Sequence, residues 1–490
     1  MMKSLKVSNS FAELSPEFYT RLQMQGLRHE VKLLHVNPRV AELLEISPGM
    51  WKSPEFFEIM SGQADLPGGV TLSAVYSGHQ FGVWAGQLGD GRAHLLGAIE
   101  SASSAIPWEI QLKGAGLTPY SRMGDGRAVL RSSIREYLAS AAMDGLNVPT
   151  TLALSISTSQ DRVRRERVET AAIVSRVAPS FVRFGSFQHW YANKRPDLLR
   201  ELLDYVCDHF FADELKATYD DVKDKVLDFL DIVIHRTAVL MAHWQSIGFV
   251  HGVMNTDNMS ILGLTIDYGP YGFMENFDPH WVINHSDHQG RYAFSQQVNI
   301  ALWNLHQLAH CFTLLGLKED ELRSVLDKYA DYFYDSFFEI HAKKFGFIEL
   351  SSEDDDLFND FWMLMAKQSS DFTLSFRRLA DIDSNEQQWL DLFKNPEEAK
   401  AWLIRYKARR DQDDLSATER QSMMNAINPL YTLRTYMAQE AIDAAENGSA
   451  EVLDCLIKIL QNPFIEHDGA ERYAEPSPID KQNMALSCSS

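Results

Sequence analysis

The chain has 490 residues, 45% of them hydrophobic, 23% charged and 11% aromatic. This balance excludes a disordered chain and suits two to four folding units of about 100–200 residues each. Lys and Arg total 46 against 67 Asp and Glu, a formal charge of −21. That argues against a nucleic-acid coat or a polybasic membrane binder, while leaving room for a local basic pocket that takes a small anion.

Residues 1–70 read as a helical extension, because Ser15-Pro16-Glu17 and Asn37-Pro38 are helix openers. Over 71–190 glycines cluster between short β-rich runs, at Gly69–Tyr76, Ala93–Glu100, Trp108–Leu112 and Ala172–Val177. One helix interrupts them, Ser132–Ala142, ended by Asn147-Val148-Pro149. The order predicts a mostly antiparallel sheet with one packed helix. Over 191–462 the pattern is mainly helical, with amphipathic spacing in Leu198–Phe211, Tyr219–Ile247, Val298–Leu315 and Lys318–Phe345. Between the second and third lies an irregular stretch, 248–294, of a length that is usually functional. Residues 463–490 are polar, carry Pro476 and Pro478, and are expected to be extended. The expected class is α+β.

Four cysteines stand far apart, at Cys207, Cys311, Cys455 and Cys488, with no C-x-x-C pair. This excludes the common structural zinc site and a disulfide scaffold, and fits a reducing compartment. No apolar run reaches about 18 residues, and Met1–Glu13 lacks a signal-peptide core. A soluble cytoplasmic protein is expected, with no membrane or nucleic-acid partner.

Five constellations carry chemistry. Gly86-Gln87-Leu88-Gly89-Asp90-Gly91-Arg92 lies between two β-like runs. It is either a tight hairpin or a loop whose backbone N–H groups hold phosphate oxygens. It is neither a Walker A loop nor a dinucleotide fingerprint. Lys113 closes an apolar strand, and the helix bearing Glu136 follows some twenty residues on. That is the layout of a kinase-type ion pair that fixes nucleotide phosphates. Gly124-Asp125-Gly126-Arg127 repeats the first Gly-Asp-Gly-Arg just before that helix. Among the arginines, Arg162, Arg164, Arg165 and Arg167 read as a solvated hairpin turn. Arg176 and Arg183 sit in the apolar stretch Ile173–Phe187 and need an anionic partner, a buried carboxylate or a bound phosphate.

The fifth is the strongest. His251-Gly252-Val253-Met254-Asn255-Thr256-Asp257-Asn258 keeps the His and Asn spacing of a kinase catalytic loop, and Asp267-Tyr268-Gly269 stands where the metal-binding turn belongs. Asn and Asp oxygens there suit Mg²⁺ or Mn²⁺. Val253 occupies the position of the usual catalytic Asp and cannot accept a proton; Asp257 is the nearest substitute. His280, His285 and His288, with Asp278 and Asp287, are expected to be hydrogen-bonded loop residues and not metal ligands.

Several of these segments resemble the selenoprotein O (SelO/YdiU) family. They are Tyr76-Ser77-Gly78-His79-Gln80-Phe81-Gly82, Gln111-Leu112-Lys113-Gly114-Ala115-Gly116, Thr118-Pro119-Tyr120-Ser121-Arg122, the 251–258 loop and Asn284-His285-Ser286-Asp287. The resemblance implies a protein-kinase-like bilobal fold, with a β-rich N-lobe at 71–190 and a helical C-lobe at 191–462. It implies ATP bound in a reversed orientation and AMP transferred to Ser, Thr or Tyr hydroxyls of proteins; UMP transfer is attributed to the family as well. By motif, Gly89, Gly91, Arg92, Lys113, Asp125, Gly126, Arg176, Arg183 and Asp267 would contact the nucleotide. Glu136 would pair with Lys113, Asn258 and Asp267 would hold Mg²⁺ or Mn²⁺, and Asp257 would accept the proton. Cys488 falls where family members carry selenocysteine or cysteine, which implies a redox role. The stretch Trp281-Val282-Ile283-Asn284 has no cysteine to pair with it. The rival readings are a phosphotransferase or UMP transferase on the same site, and an inactive nucleotide-binding scaffold, which Val253 would favour.

Overall fold

The computed structural model describes residues 2–102 and 104–481. Cys488 and the end of the tail lie outside them. The fold is α+β. Its centre is a sheet of nine described strands, all paired antiparallel. The strands are β1 (Val7–Ser8), β2 (Tyr19–Arg21), β3 (Lys32–Val36), β4 (Leu72–Ala74), β7 (Ala93–Ile99), β8 (Trp108–Lys113), β9 (Ala128–Val129), β10 (Leu152–Arg164) and β11 (Val168–Ala178). Their order is β2-β4-β7-β8-β11-β10-β3, with β1 on β7 and β9 on β11. A separate hairpin, β5 (Ser77–Gln80) and β6 (Val83–Gln87), stands off this sheet.

The two faces of the sheet bury different cores, as the two-residue period of a strand requires. Ile110, Leu112, Ile173 and Val177 face one core with Phe56, Ile59 and Met60. These last come from α3 (Pro54–Met60), which follows α1 (Pro38–Leu43) and α2 (Pro48–Trp51). Val174, Ala172 and Leu95 face the other core, against Ile134 and Leu138 of α4 (Leu130–Gly145). That core continues into α5 (Phe184–Ala192), α6 (Pro196–Phe210), α7 (Val222–Ser246) and α8 (Gln297–Cys311). Short strands β12 (Phe249–Val250) and β13 (Gly272–Phe273) pair within the irregular stretch before α8. A third, aromatic core lies among the later helices, with Phe345, Phe361, Trp389, Trp402 and Tyr406 buried together. No helix of the described residues is long and apolar enough to cross a membrane.

Three expectations change. Residues 2–70 hold helices α1, α2 and α3 but are not helical throughout. Ser15-Pro16-Glu17 opens only a three-residue turn at Pro16–Phe18, and β1, β2 and β3 join the central sheet. Asn37 does cap α1, accepting from the Arg39 N–H at 3.1 Å. The stretch read as one helix over Lys318–Phe345 is two, α9 (Glu319–Leu326) and α10 (Tyr329–Phe345). Over 464–481 the chain is not simply extended: it turns at Glu471–Ala474 and Ile479–Lys481, Tyr473 is buried, and Arg472 and Lys481 reach Glu440 at 2.7 and 2.9 Å. Cys207 and Cys311 are buried in helices, and Cys455 is half-buried.

One buried acid makes the fold pH-sensitive. Burial on β8 pushes the Glu109 carboxyl up to about 8, opposed by the Phe181 N–H that it accepts at 3.0 Å. The folded chain therefore keeps a proton that the unfolded chain loses near the ordinary value of 4.5. Stability from this group falls as pH rises from about 4.5 to about 8 and is level above that. Glu109→Gln should melt at least about 2 °C higher than the parent near pH 8.5 and match it near pH 5, as read by calorimetry.

Candidate active site

Strand register puts the cations of the site on one face. Lys113 on β8 lies opposite Val174 on β11, and Arg176 lies opposite Gln111. Directly opposed residues share a face, so Lys113 and Arg176 project together toward α4. Glu136 of α4 meets both. Its Oε2 is 2.5 Å from Lys113 Nζ and its Oε1 is 2.9 Å from Arg176 Nε. Burial lowers the Lys113 amine to about 8, against the pull of Glu136.

Asp267 continues the chain of charges. Arg176 Nη1 is 2.7 Å from its Oδ1, and Arg183 Nη1 bonds its Oδ2. Burial alone would raise this carboxyl; Arg183, Arg176 and Lys113 overcome that and hold it well below the usual carboxylate range. Arg183 also donates to the Asp257 carbonyl at 2.5 Å and lies over the Tyr76 ring at 4.7 Å. The arginines needed an anionic partner, and in the ligand-free chain that partner is a carboxylate.

Asp267 is fixed from α4. Thr151 N–H donates to Thr265 C=O at 3.0 Å, and Thr265 N–H to Pro149 C=O at 2.8 Å. Arg135, the neighbour of Glu136, donates to Tyr271 C=O at 3.0 Å, and Tyr271 OH returns a bond to Arg135 C=O at 2.6 Å. His251 is a strut and no acid or base. It is buried, stacks on Trp244 at 5.3 Å and bonds Ile266 C=O at 2.8 Å.

These groups line a cleft of about 600 Å³. Gly89, Gly91, Arg92, Lys113, Asp125, Gly126, Arg176, Arg183, Asp257, Asn258 and Asp267 all face it, with Glu136 behind Lys113. Among the described residues seven Lys or Arg and four Asp line it, a local excess of positive charge in a chain of net −21. Such a cleft concentrates a polyanion. The Gly89 loop needs its glycine for packing as well. A Cβ there would lie 2.5 Å from the Tyr120 ring, and its φ is 142°.

Some groups escaped the sequence reading. Arg165 is no solvated turn residue: it grips Asp125 with two bonds of 2.8 Å and lines the cleft. Tyr76, Gln80 and Asp90 line it as well. His280, His285 and His288 are exposed, and Asn284 and Asp287 hold their loop instead. Asn284 donates to Gly252 C=O at 3.0 Å, and Asp287 accepts from the Arg291 and Tyr292 N–H groups at 3.0 and 2.7 Å.

Asp257 is buried, with Oδ2 accepting from Gln80 Nε2 at 3.2 Å and Oδ1 without a hydrogen-bond partner. Burial pushes this carboxyl up to about 6, against Gln80 and Arg183. An acceptor oxygen buried without a donor is an exception in a folded chain and calls for a functional reason. Asn258 Nδ2 donates to Val253 C=O at 2.9 Å, which leaves its Oδ1 as the acceptor beside Asp267 in the cleft. These two hard oxygen donors fit a cation of the Mg²⁺ type, which takes one or two protein ligands and completes its shell from phosphates and water. No group of three or more His, Cys, Asp or Glu among the described residues is arranged to hold a metal by itself.

A cation-rich cleft, a Lys–Glu pair and an acid with an open oxygen define an enzyme that handles an anionic, phosphate-bearing substrate. Comparison makes this specific. A sequence model of the family described as protein adenylyltransferase SelO matches residues 1–461. The chain is 50% identical to the protein nucleotidyltransferase YdiU of Bordetella parapertussis, over 100% of this chain and 99% of that one. It is 51% identical to YdiU of Bordetella petrii over the same shares, and 45% identical to that of Dechloromonas aromatica over 98% and 97%. The chain belongs to the SelO family, and it is a nucleotidyltransferase.

The Lys113–Glu136 pair makes one prediction. Glu136→Gln keeps the shape but leaves Lys113 buried without its carboxylate, and breaking such a pair costs about 3–5 kcal/mol. Urea unfolding should show a loss of that order. Unchanged stability would mean that Lys113 is neutral in the folded chain.

Proposed function

We propose that this chain transfers AMP from ATP to Ser, Thr or Tyr hydroxyls of proteins and releases pyrophosphate. The observation that carries the reading is the depth of its cationic charge: Arg176 and Arg183 are both buried and both face the cleft. With Lys113 they suit the terminal phosphates of a nucleotide held in reverse, which turns the α-phosphorus toward Asp257. The order of elements, with β8 and α4 supplying the ion pair and the 251–269 segment supplying Asp257, Asn258 and Asp267, supports a kinase-like bilobal frame. In that frame 71–190 is the β-rich lobe and 191–462 the helical one.

The substrate hydroxyl oxygen forms a bond to the α-phosphorus. The bond from that phosphorus to the bridging oxygen breaks, and pyrophosphate leaves with the electron pair. The hydroxyl proton passes to the Asp257 carboxylate, which is raised toward the range useful for general base work. If the transition state is loose, Asp257 contributes chiefly by orienting the hydroxyl. Asn258 and Asp267 would hold Mg²⁺ or Mn²⁺, which supplies charge neutralisation on the departing pyrophosphate. Lys113, Arg176 and Arg183 hold the phosphates while the bond breaks.

The test uses ATP labelled at the α- or the γ-phosphate, with Mg²⁺ or Mn²⁺ and a generic protein acceptor. Label from the α-phosphate, with a mass gain matching AMP, is expected, and Asp267→Ala should reduce it by at least about 100-fold. Label from the γ-phosphate would make the chain a kinase. Saturable ATP binding without label would make it a scaffold, and a preference for UTP would make it a UMP transferase.

A further inference from the structure

The hairpin of β5 and β6 contributes little to the sheet, yet it is bound to the loop that carries Asp257. His79 N–H donates to Thr256 Oγ1 at 2.8 Å. Phe81 N–H donates to Asn255 Oδ1 at 3.1 Å and to Tyr292 OH at 3.0 Å. Tyr292 OH in turn donates to Asn255 Oδ1 at 2.7 Å. Gln188 of α5 closes the network, accepting from Thr256 Oγ1 at 2.5 Å and meeting His79 Nδ1 at 3.0 Å. The residues on both sides of Gln80 are therefore held by their backbones to the residues just before Asp257.

The turn of this hairpin is strained. Phe81 has φ 50° and Gly82 φ 79°, so both central residues are left-handed. Glycine adopts this freely, but phenylalanine does so at a cost. A strained residue persists where its surroundings over-determine it, and such places cluster at functional sites. Among the described residues, the side chain that bonds the Asp257 carboxylate belongs to Gln80, the residue just before this turn. Gln80 Nε2 bonds Asp257 Oδ2 at 3.2 Å, while Oδ1 stays without a partner. Gly78 guards the other side: a Cβ there would lie 2.8 Å from that Oδ1.

We infer that Gln80 is a positioning residue for Asp257: its amide holds Oδ2 while Oδ1 lies buried against Gly78, and together they fix the rotation of the carboxylate that receives the hydroxyl. This rests on the reading of Asp257 as the group that receives the substrate hydroxyl. Arg183 does not replace Gln80, because it binds the backbone carbonyl of Asp257 and not the carboxylate. The amide lines the cleft but adds no charge to it, and its bond goes to Asp257 and to neither Lys113 nor Arg176. Its loss should then disturb the chemical step and leave nucleotide binding intact.

The experiment measures kcat and the KM for ATP of AMP transfer in the full chain. The variants are Gln80→Leu, Gly78→Ala, Asp257→Asn and Gln80→Leu with Asp257→Asn. Gln80→Leu should lower kcat by about 10–100-fold, the scale of a misaimed reacting group. Its KM for ATP and its melting temperature should stay at the parental values. Gly78→Ala, which presses on the same carboxylate from the opposite side, should show the same split. The double variant should be no slower than Asp257→Asn alone, since residues that act as a unit are not additive. A parental kcat for Gln80→Leu beside a disabled Asp257→Asn would overturn the positioning role and leave Asp257 standing. A raised KM for ATP, or a double variant well below Asp257→Asn, would overturn it too. Full transfer by Asp257→Asn would remove Asp257 from the reaction and the inference with it.

Discussion

The site depends on a row of buried charges that cannot be removed one at a time. Lys113, Glu136, Arg176, Asp267 and Arg183 alternate in sign through contacts of hydrogen-bond length. Each member comes from a different element: β8, α4, β11, the turn after residue 266, and the start of α5. A lone ion in such surroundings would cost more than the fold can spare, so each one fixes the position of the next. The row thereby ties the sheet to the segment that carries Asp257 and Asp267.

Helix α4 is the beam of this arrangement. Glu136 reaches the sheet side, and its neighbour Arg135 is locked to Tyr271 by reciprocal bonds from each side chain to the other's backbone carbonyl and by stacking at 4.6 Å. On the far side Tyr137 OH meets His35 Nδ1 at 2.7 Å, and His35 Nε2 meets Asp454 at 2.8 Å. Three consecutive residues of one helix thus bind three separate parts of the chain. A rotation of α4 would have to break all three sets at once, which makes its orientation a property of the whole molecule.

The sequence exposes residues whose chemistry conflicts with their surroundings. Lys113 at the end of an apolar strand, Arg176 and Arg183 within an apolar run, and His251 spaced from Asn258 all stand out without any coordinates. The long helices were legible for the same reason, since their periodicity is local. Strands β1, β2 and β3 were not. They are two to five residues long, and they exist through partners such as β7 and β10 that lie far along the chain. Strand β10 alternates apolar and polar residues only over Leu154–Ser157, and its second half is polar and reads as loop. Arg165 looked like a turn residue because its partner Asp125 is 40 positions away. Gln80 stands in a family-like segment but was given no role, since nothing in an amide's local sequence shows that it meets a carboxylate 177 positions on.

Because both oxygens of Asp267 are already taken by arginines, the ligand-free cleft carries its own internal counter-anion. Any incoming anion has to compete with a carboxylate that is covalently tethered and held ionised. On the proposed reading, a triphosphate arriving with its cation would give Asp267 a new partner as the arginines turn to the phosphates. Admission to the site would then be an exchange of partners with a tethered carboxylate.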